Sequence, residues 1–480
     1  MDYKAIGLKA GLEIHQQLDT GKLFCACPGY LRNDEPHFTI MRKLHAVAGE
    51  TGEVDAAVAH EATLGRTFYY QGYKDSTCLI EIDEDPPHFI NELALNEALK
   101  IALLMNCEIY SSTQIMRKTV IDGSNTSGFQ RTVLIAHDGF IETSFGNVKI
   151  DTICLEEDAA RIVERDEKKS VYRLDRLGIP LIEIATAAVL DTPEKIKECA
   201  LKIGEILRVC NVKRGIGTIR QDLNISIKGH DRVEVKGFQD PSMMIETVKN
   251  EIARQDEEIK KKKSNGEVRN ANADCTTSFL RPMPGKARMY PETDLPLLKI
   301  GRDKINELKK ALPKLKHEIK DELKRKGLSD ELLNLILNGH LEEFEVLIKI
   351  CPKEANLVAK MITLWRSEFA SKLKKPLEEI EEVLNERVLE QVLEALSDGK
   401  IETGDAKSIL WAIAGEGKKI SEALVIEKVD SDALESSIRE ILLEKPGLRQ
   451  NAYMGLVIKK LGANVDKRKT MEILNKLIKS

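Results

Sequence analysis

Long hydrophobic runs are absent from this chain of 480 residues. A membrane-spanning helix needs about 18 uninterrupted apolar residues, and the richest stretch, residues 95–105, is broken by Asn96, Glu97 and Lys100. The first residues lead into a mixed strand pattern without the apolar core of a signal peptide. We therefore expect no membrane partner and a cytoplasmic location.

Cysteine is also sparse, with nine residues in the whole chain. A disulfide framework needs a denser and even-numbered set, so reduced thiols are expected. An excess of charge of one sign is missing too, because 73 basic side chains face 78 acidic ones, a net charge of −5. Only residues 441–480 are basic, with nine Lys and Arg against three acids. A secreted disulfide scaffold and a uniformly basic nucleic-acid binder are thereby excluded.

The spacing of the apolar residues changes near residue 300. Before it, short segments such as 11–18 and 222–228 alternate apolar and polar side chains between turn residues. After it, apolar residues recur at helical spacing. The sequence predicts an α+β fold: a domain of mainly antiparallel strands over 1–300, a helical domain over 301–398 and a basic helical tail over 399–480.

Acidic side chains occupy the polar faces of several predicted strands. The period of two places Glu13 and His15 side by side, because both alternate with apolar residues. The same alternation, or a position at a strand end, singles out Glu156, Glu157, Glu183, Asp222 and Glu234. Crowded acids repel one another unless a cation lies between them, and oxygen ligands with one imidazole suit Mg²⁺ or Mn²⁺. The alternative is a set of solvated acids on half-exposed strands.

A second candidate site is the segment from Arg117 and Lys118 to the small residues of 122–128. Two glycines and several hydroxyl residues would let backbone N–H groups approach a phosphate, with the two basic residues as counter-charges. The candidate phosphate contacts are Arg117, Lys118, Gly123, Ser124, Ser127 and Gly128. An ordinary hairpin loop is the alternative.

A zinc site is not expected. Cys25 and Cys27 form half of a possible ligand set, but no Cys-x-x-Cys pair follows to complete it. Cys78, Cys107 and Cys154 are each isolated among apolar residues, which is typical of core thiols.

Six stretches together resemble the GatB/GatE family, the tRNA-binding subunits of tRNA-dependent amidotransferases. They are GLEIHQQL (11–18), RKTVIDGSNTSGFQR (117–131), LEEDAAR (155–161), LDRLGIPLIEIA (174–185), GTIRQDLNIS (217–226) and RMYPETD (288–294). They extend over the whole strand-rich part. The helical part resembles the helical domain and the YqeY-like tail of the family on weaker motifs.

Within the family, the sequences of residues 41–47 and 78–88 are similar to those of the archaeal E-type form, GatE. E-type members usually carry a large insertion, similar to one in aspartyl-tRNA synthetases, before the MYPETD motif. Only residues 255–278 lie at that place in this chain, which is far too short for it. The zinc of some GatB relatives needs a second cysteine pair that this chain also lacks.

The resemblance implies a ligase that amidates glutamate mischarged on the glutamine tRNA. ATP and Mg²⁺, or Mn²⁺ in its place, would phosphorylate the γ-carboxylate, and ammonia would then displace the phosphate. Carried over by motif, Glu157 and Glu183 are the expected catalytic residues. The expected metal ligands are Glu13, His15, Glu156, Glu157, Glu183, Asp222 and Glu234.

The resemblance also implies partners. The chain has no amidase or asparaginase signature, so ammonia is expected from an asparaginase-like GatD-type subunit in a heterotetramer built on a homodimer of the E-type chain. The basic tail would contact the tRNA backbone. Two alternatives stay open: a GatB-type subunit with an amidase partner, and a non-catalytic tRNA-binding protein with the same fold.

Overall fold

The computed structural model describes residues 2–46, 48, 52–54, 56–238, 241–283, 289–425, 431–446, 450–461 and 467–479. The chain forms two compact units, Met1–Leu315 and Lys316–Ser480. Strands belong to the first unit and helices make up the second, so the predicted α+β class is confirmed. Among the described residues, no helix combines the length and the apolar composition that a membrane span requires.

The first unit is built on a large sheet. The strands of the whole unit, in chain order, are β1 Lys9–Gln17, β2 Phe38–Arg42, β3 Thr67–Gly72, β4 Glu108–Ile109, β5 Ser112–Thr113, β6 Ile115–Thr119, β7 Phe129–Thr143, β8 Gly146–Glu157, β9 Arg161–Arg165, β10 Lys169–Arg173, β11 Pro180–Thr186, β12 Ile219–Ser226, β13 Val233–Phe238, β14 Glu267–Ala271, β15 Thr277–Pro282, β16 Met289–Pro291 and β17 Leu298–Lys299. Its helices are α1 Ala56–Thr63, α2 Glu92–Leu104, α3 Pro193–Arg208, α4 Met244–Lys260 and α5 Arg302–Lys310.

The order of the main sheet is β15-β14-β13-β12-β1-β11-β8-β7-β6-β16, and β4 pairs with β7. Neighbours are antiparallel except β13 and β14. Four strands form a second sheet in the order β2-β3-β10-β9, and β17 pairs with β5. The prediction of mainly antiparallel strands is therefore confirmed. Strand β1, which carries Glu13 and His15, lies at the centre of the main sheet.

One face of the main sheet is covered by helices. In β1 the alternation places Leu12 and Ile14 in the hydrophobic core, and Glu13 and His15 on the other, less buried face. Helix α3 begins with a capped first turn, because the Thr192 side chain accepts a hydrogen bond from the backbone N–H of Lys195 and a proline follows Thr192. Packing on one side leaves the opposite face of the central strands available for polar groups.

The second unit is helical. Its helices are α6 Lys316–Arg325, α7 Asp330–Leu337, α8 Leu341–Leu347, α9 Ala355–Lys360, α10 Arg366–Leu373, α11 Leu377–Val383, α12 Glu386–Ser397, α13 Ala406–Glu416, α14 Ile420–Ala423, α15 Ser431–Glu444, α16 Gln450–Leu461 and α17 Lys467–Lys479. One core runs from Leu323 through Ile401 to Ile413, past the predicted boundary at residue 398. A separate small core joins α15, α16 and α17. A division within this unit is therefore better placed after α14.

Candidate active site

The register of four strands brings distant polar residues onto one face. His15 of β1 lies directly opposite Glu183 of β11. Glu13 lies opposite Asp222 of β12 on its other side. Glu156 near the end of β8 is the partner of Leu181, two residues before Glu183, so its side chain points to the same face. Residues separated by more than 200 positions thus meet through antiparallel pairing.

Distances show that these groups form a cluster centred on His15. Its Nε2 is 3.2 Å from Oε2 of Glu183 and 3.5 Å from Oε1 of Glu13. Two sets have potential ligand atoms that all lie within 4.8 Å of one another: Glu13, His15 and Asp222, and His15, Glu156 and Glu183. Five of the seven predicted metal ligands are therefore brought together. Their role as ligands stays a prediction.

The cluster ionises unevenly. Burial and the charge of Glu183 raise the pKa of Glu13 to about 7. Burial acts in the same direction on Glu183, but hydrogen bonding to His15 and the charge of Lys118 outweigh it and lower its pKa to about 2. Burial alone would lower the pKa of His15, yet its hydrogen bond to Glu183 leaves that pKa raised. Glu183 is therefore ionised, whereas its negative charge opposes the ionisation of Glu13. A bound cation would offset that repulsion.

This asymmetry predicts a pH-dependent stability. The pKa of Glu13 is higher in the folded chain than its ordinary value of 4.5, so the stability linked to this group is lost as the pH rises from 4.5 through about 7. We expect Glu13→Gln to raise the melting temperature at pH 8 and to have little effect at pH 5. Thermal unfolding in the presence of a chelator measures both values. A larger stabilisation at pH 5 would contradict the assignment.

Two lysines, one from β6 and one from β13, form ion pairs with acids on this face. Nζ of Lys118 is 2.6 Å from Oε1 of Glu156 and 3.9 Å from Oε2 of Glu183. Nζ of Lys236 is 2.6 Å from Oδ2 of Asp222 and 2.5 Å from Oε1 of Glu234. The predicted ligand Glu234 therefore joins the cluster through a lysine. The sequence reasoning missed Lys236, although strand alternation places it two residues after Glu234 on the same face.

Glu157 requires a correction. It does not join the His15 cluster, because adjacent residues of a strand point to opposite faces and Glu156 takes the His15 side. Oε2 of Glu157 is 3.4 Å from Nη1 of Arg131, whose Nε donates to Glu292 at 2.8 Å. Burial raises the pKa of Glu157, against the charge of Arg131. Glu157 instead lines a small cavity with Ser127.

The predicted phosphate loop is largely engaged by the protein itself. The carbonyl oxygens of Gly123 and Ser124 accept hydrogen bonds from the Tyr70 hydroxyl and from the backbone of Ala160. A Cβ on Gly123 would lie 2.2 Å from the Phe68 ring, which explains the glycine by packing. Ser127 donates to a backbone carbonyl two residues on, and Gly128 has a φ of +77°, in the left-handed region that favours glycine.

Arg117 and Lys118 point to opposite faces of β6. Arg117 forms ion pairs with Glu292 and Asp294 and lies over the Phe129 ring, 4.5 Å from its centre. Lys118 alone of the candidate phosphate contacts lies on the face of the His15 cluster. All six phosphate contacts stay predictions.

A second correction concerns the thiols. Cys78 is not isolated: the sulfur atoms of Cys25, Cys27 and Cys78 and a carboxylate oxygen of Glu81 lie within 4.8 Å of one another. Glu81 is engaged, because it forms an ion pair with the buried Lys22 and accepts from the backbone N–H of Cys78 at 2.8 Å. Three thiols thus lie together beside a carboxylate that already pairs with Lys22. The expected absence of zinc stays a prediction.

The basic tail is partly described. Nζ of Lys460 is 2.7 Å from Oε2 of Glu440, which places one of its cations in an intramolecular pair. The side chains of Lys459, Lys467, Arg468 and Lys469 lie outside the described residues, as does Arg288 of the MYPETD stretch.

Comparison with known proteins identifies the family. A model described as the GatB/GatE catalytic domain matches residues 8–306, which include the whole His15 cluster. The chain belongs to the GatB/GatE family. It carries the catalytic domain of that family and is therefore part of an enzyme.

Its relatives include proteins named as the E-type subunit of glutamyl-tRNA(Gln) amidotransferase. The one from Methanocaldococcus jannaschii is 36% identical over 631 residues, with 100% of this chain and 99% of the relative aligned. The one from Methanothermobacter thermautotrophicus is 34% identical over 579 residues, with 92% of each chain aligned. The one from Pyrobaculum aerophilum is 48% identical over 286 residues, or 58% of this chain and 47% of the relative. An alignment of 631 positions on a chain of 480 residues means that the relative has segments absent here, as a missing insertion would produce.

Proposed function

We propose that this chain converts glutamate attached to the glutamine tRNA into glutamine, as the E-type component of a glutamyl-tRNA(Gln) amidotransferase. Relatives that align with nearly the whole chain carry that name. The observation that supports catalysis is the convergence of an imidazole and four carboxylates from four strands on one face of the catalytic domain. A non-catalytic binding protein would not need acids at such close range.

The cluster fits Mg²⁺ or Mn²⁺. His15, Glu156 and Glu183 would hold the ion, with Glu13 and Asp222 beside it, because hard cations take carboxylate oxygens and tolerate one imidazole. When bound, the ion supplies charge neutralisation for the phosphate oxygens of ATP. The raised pKa of Glu13 is compatible with this, since burial and the charge of Glu183 oppose its ionisation and a bound cation would favour it.

The proposed reaction has two steps. An oxygen of the substrate γ-carboxylate attacks the terminal phosphorus of ATP, which gives an acyl phosphate and ADP. Ammonia then attacks the acyl carbon, a C–N bond forms, the C–O bond to phosphate breaks, and phosphate leaves. Lys118 faces the side where the phosphate would be and can neutralise part of its charge, while Glu183 fixes the orientation of His15 by their hydrogen bond.

The assembly follows from the E-type assignment. We expect a GatD-type asparaginase-like subunit to supply ammonia, within a heterotetramer built on a homodimer of this chain in the cytoplasm. The names of the aligned relatives favour this over a GatB-type subunit with an amidase partner. Helices α15, α16 and α17, which share their own core, would form the YqeY-like tail that meets tRNA.

The division of labour can be tested with the purified chain, ATP, Mg²⁺ and glutamyl-tRNA(Gln). Amide formation is expected with ammonium chloride and not with glutamine or asparagine, because the chain is expected to have no amide-hydrolysing site. Addition of a GatD-type subunit should make asparagine or glutamine an effective donor. Conversion of the glutamate, measured by chromatography of the released amino acid, gives the result. Glutamine-dependent conversion by the chain alone would refute the proposal.

A further inference from the structure

Lys118 occupies the part of the cluster where a divalent cation would bind. Its ammonium contacts Glu156 at 2.6 Å and lies 3.9 Å from Glu183. These two acids and His15 are one of the sets whose ligand atoms lie within 4.8 Å of one another. An ammonium and a divalent cation held by the same two carboxylates would lie only a few ångströms apart, where their like charges repel one another strongly. Lys118 and a cation therefore have overlapping sites.

We propose that Lys118 is an internal counter-ion that competes with the divalent cation for Glu156 and Glu183. When the cation binds, the ammonium of Lys118 moves away from these acids and pairs with the phosphates of ATP. This inference rests on the proposed function. The inference extends that function, because it assigns two roles to one residue. Lys118 neutralises the acids before the metal binds and contacts the nucleotide afterwards. Lys118 is thus a positioning residue for metal and ATP together.

The two lysines of this face differ in how firmly the cluster acids hold them. Lys236 bridges two acids at 2.6 Å and 2.5 Å, and the charges of Asp222, Glu234 and Glu13 raise its pKa although burial opposes them. Lys118 has one cluster acid at hydrogen-bond distance and the other at 3.9 Å. Each lysine thus has two acids of this face within ion-pair distance, and the two contacts of Lys236 are both short whereas one of those of Lys118 is long. Lys236 remains as the fixed counter-charge.

The acids stay in place when Lys118 leaves. Nε2 of Gln130 donates to Oε2 of Glu156 at 3.0 Å and to the backbone oxygen of Glu157 at 2.7 Å. Glu183 keeps its hydrogen bond to His15. A carboxylate that is oriented by a neutral amide keeps its geometry for the incoming cation. The flexible four-carbon stem of a lysine lets the ammonium move to a nearby phosphate as a point charge.

The experiment compares two affinities. The affinity for Mn²⁺ without nucleotide is measured by electron paramagnetic resonance of free Mn²⁺, and the affinity for the Mn²⁺–ATP complex is measured by calorimetry. Lys118→Met is expected to bind Mn²⁺ at least about tenfold more tightly than the unaltered chain and to bind Mn²⁺–ATP at least about tenfold more weakly. Opposite effects are the signature, because a merely structural role would weaken both. Lys118→Arg, which keeps the charge, should leave Mn²⁺ affinity within about threefold.

Lys149→Met is the matched control. Lys149 also contacts two acids of the same sheet, Asp138 at 2.6 Å and Asp151 at 3.6 Å, but it lies outside the His15 cluster. Neither affinity should change in this variant. Unchanged or weaker Mn²⁺ binding by folded Lys118→Met overturns the competition and leaves the metal site intact. Failure of folded Lys118→Met, as well as of the unaltered chain, to bind Mn²⁺ either alone or as Mn²⁺–ATP overturns the proposed function, and the competition with it.

Discussion

Replacement of Glu183 by glutamine is expected to reduce ATP-dependent amide formation by about 1000-fold, because the charge that would hold the phosphate-neutralising cation is lost and removal of one such electrostatic contribution costs losses of that order. The hydrogen bond from His15 and the charge of Lys118 lower the pKa of Glu183 to about 2 although burial opposes them, and Glu183 accepts the hydrogen bond that orients His15. Glutamine keeps the shape of the side chain and removes its charge. The variant therefore tests charge at this position rather than packing.

The measurement is single-turnover conversion of glutamyl-tRNA(Gln) with ammonium chloride as the donor. Glu164→Gln provides the matched control, because Glu164 is an exposed strand residue of the same unit and lies in β9, away from the cluster. Thermal unfolding should show that both variants are folded. Conversion by Glu183→Gln within tenfold of the unaltered chain would remove Glu183 from the catalytic site.

Strand alternation was sufficient to predict much of the cluster. Glu13 and Glu183 each stand between apolar residues and His15 follows one, and buried neighbours such as Ile14 and Ile184 fix which way they point. Alternation does not say which strands are adjacent, because pairing depends on tertiary structure. The convergence of β1, β11 and β12 was therefore a hypothesis until the register was known.

The thiol cluster shows where sequence reasoning failed. Cys25 and Cys27 are separated from Cys78 by about fifty positions, and no spacing rule joins a Cys-x-Cys pair to a single distant cysteine. The structure places the backbone N–H of Cys78 on Glu81, which in turn pairs with Lys22 near the first two cysteines. A contact made by the fold rather than by local sequence left no signal in the pattern.

Adjacent glutamates at the end of β8 are expected to behave in opposite ways. Glu156→Gln should weaken Mn²⁺ binding by at least about 10-fold, because Glu156 faces His15 and Glu183. Glu157→Gln should leave Mn²⁺ affinity nearly unchanged and lower the free energy of unfolding by about 1–3 kcal/mol, since it replaces a charged hydrogen-bond partner of the buried Arg131 by a neutral one. The sequence held the clue, because Leu155 is a core residue and alternation from it puts Glu156 on the polar face.

These two variants distinguish the prediction from strand geometry, in which only Glu156 binds the metal, from the prediction of the family resemblance, in which both residues do. Electron paramagnetic resonance of free Mn²⁺ gives the affinities, and urea denaturation gives the stabilities, of two variants that differ only in the position of the same substitution. If Glu157→Gln lost Mn²⁺ while Glu156→Gln retained it, the face of the sheet that binds metal would be the one lined by Arg131, and the His15 cluster would be a structural ion-pair network. Retention by Glu157→Gln alone would instead place the ion on the His15 face, where strand pairing has gathered the acids.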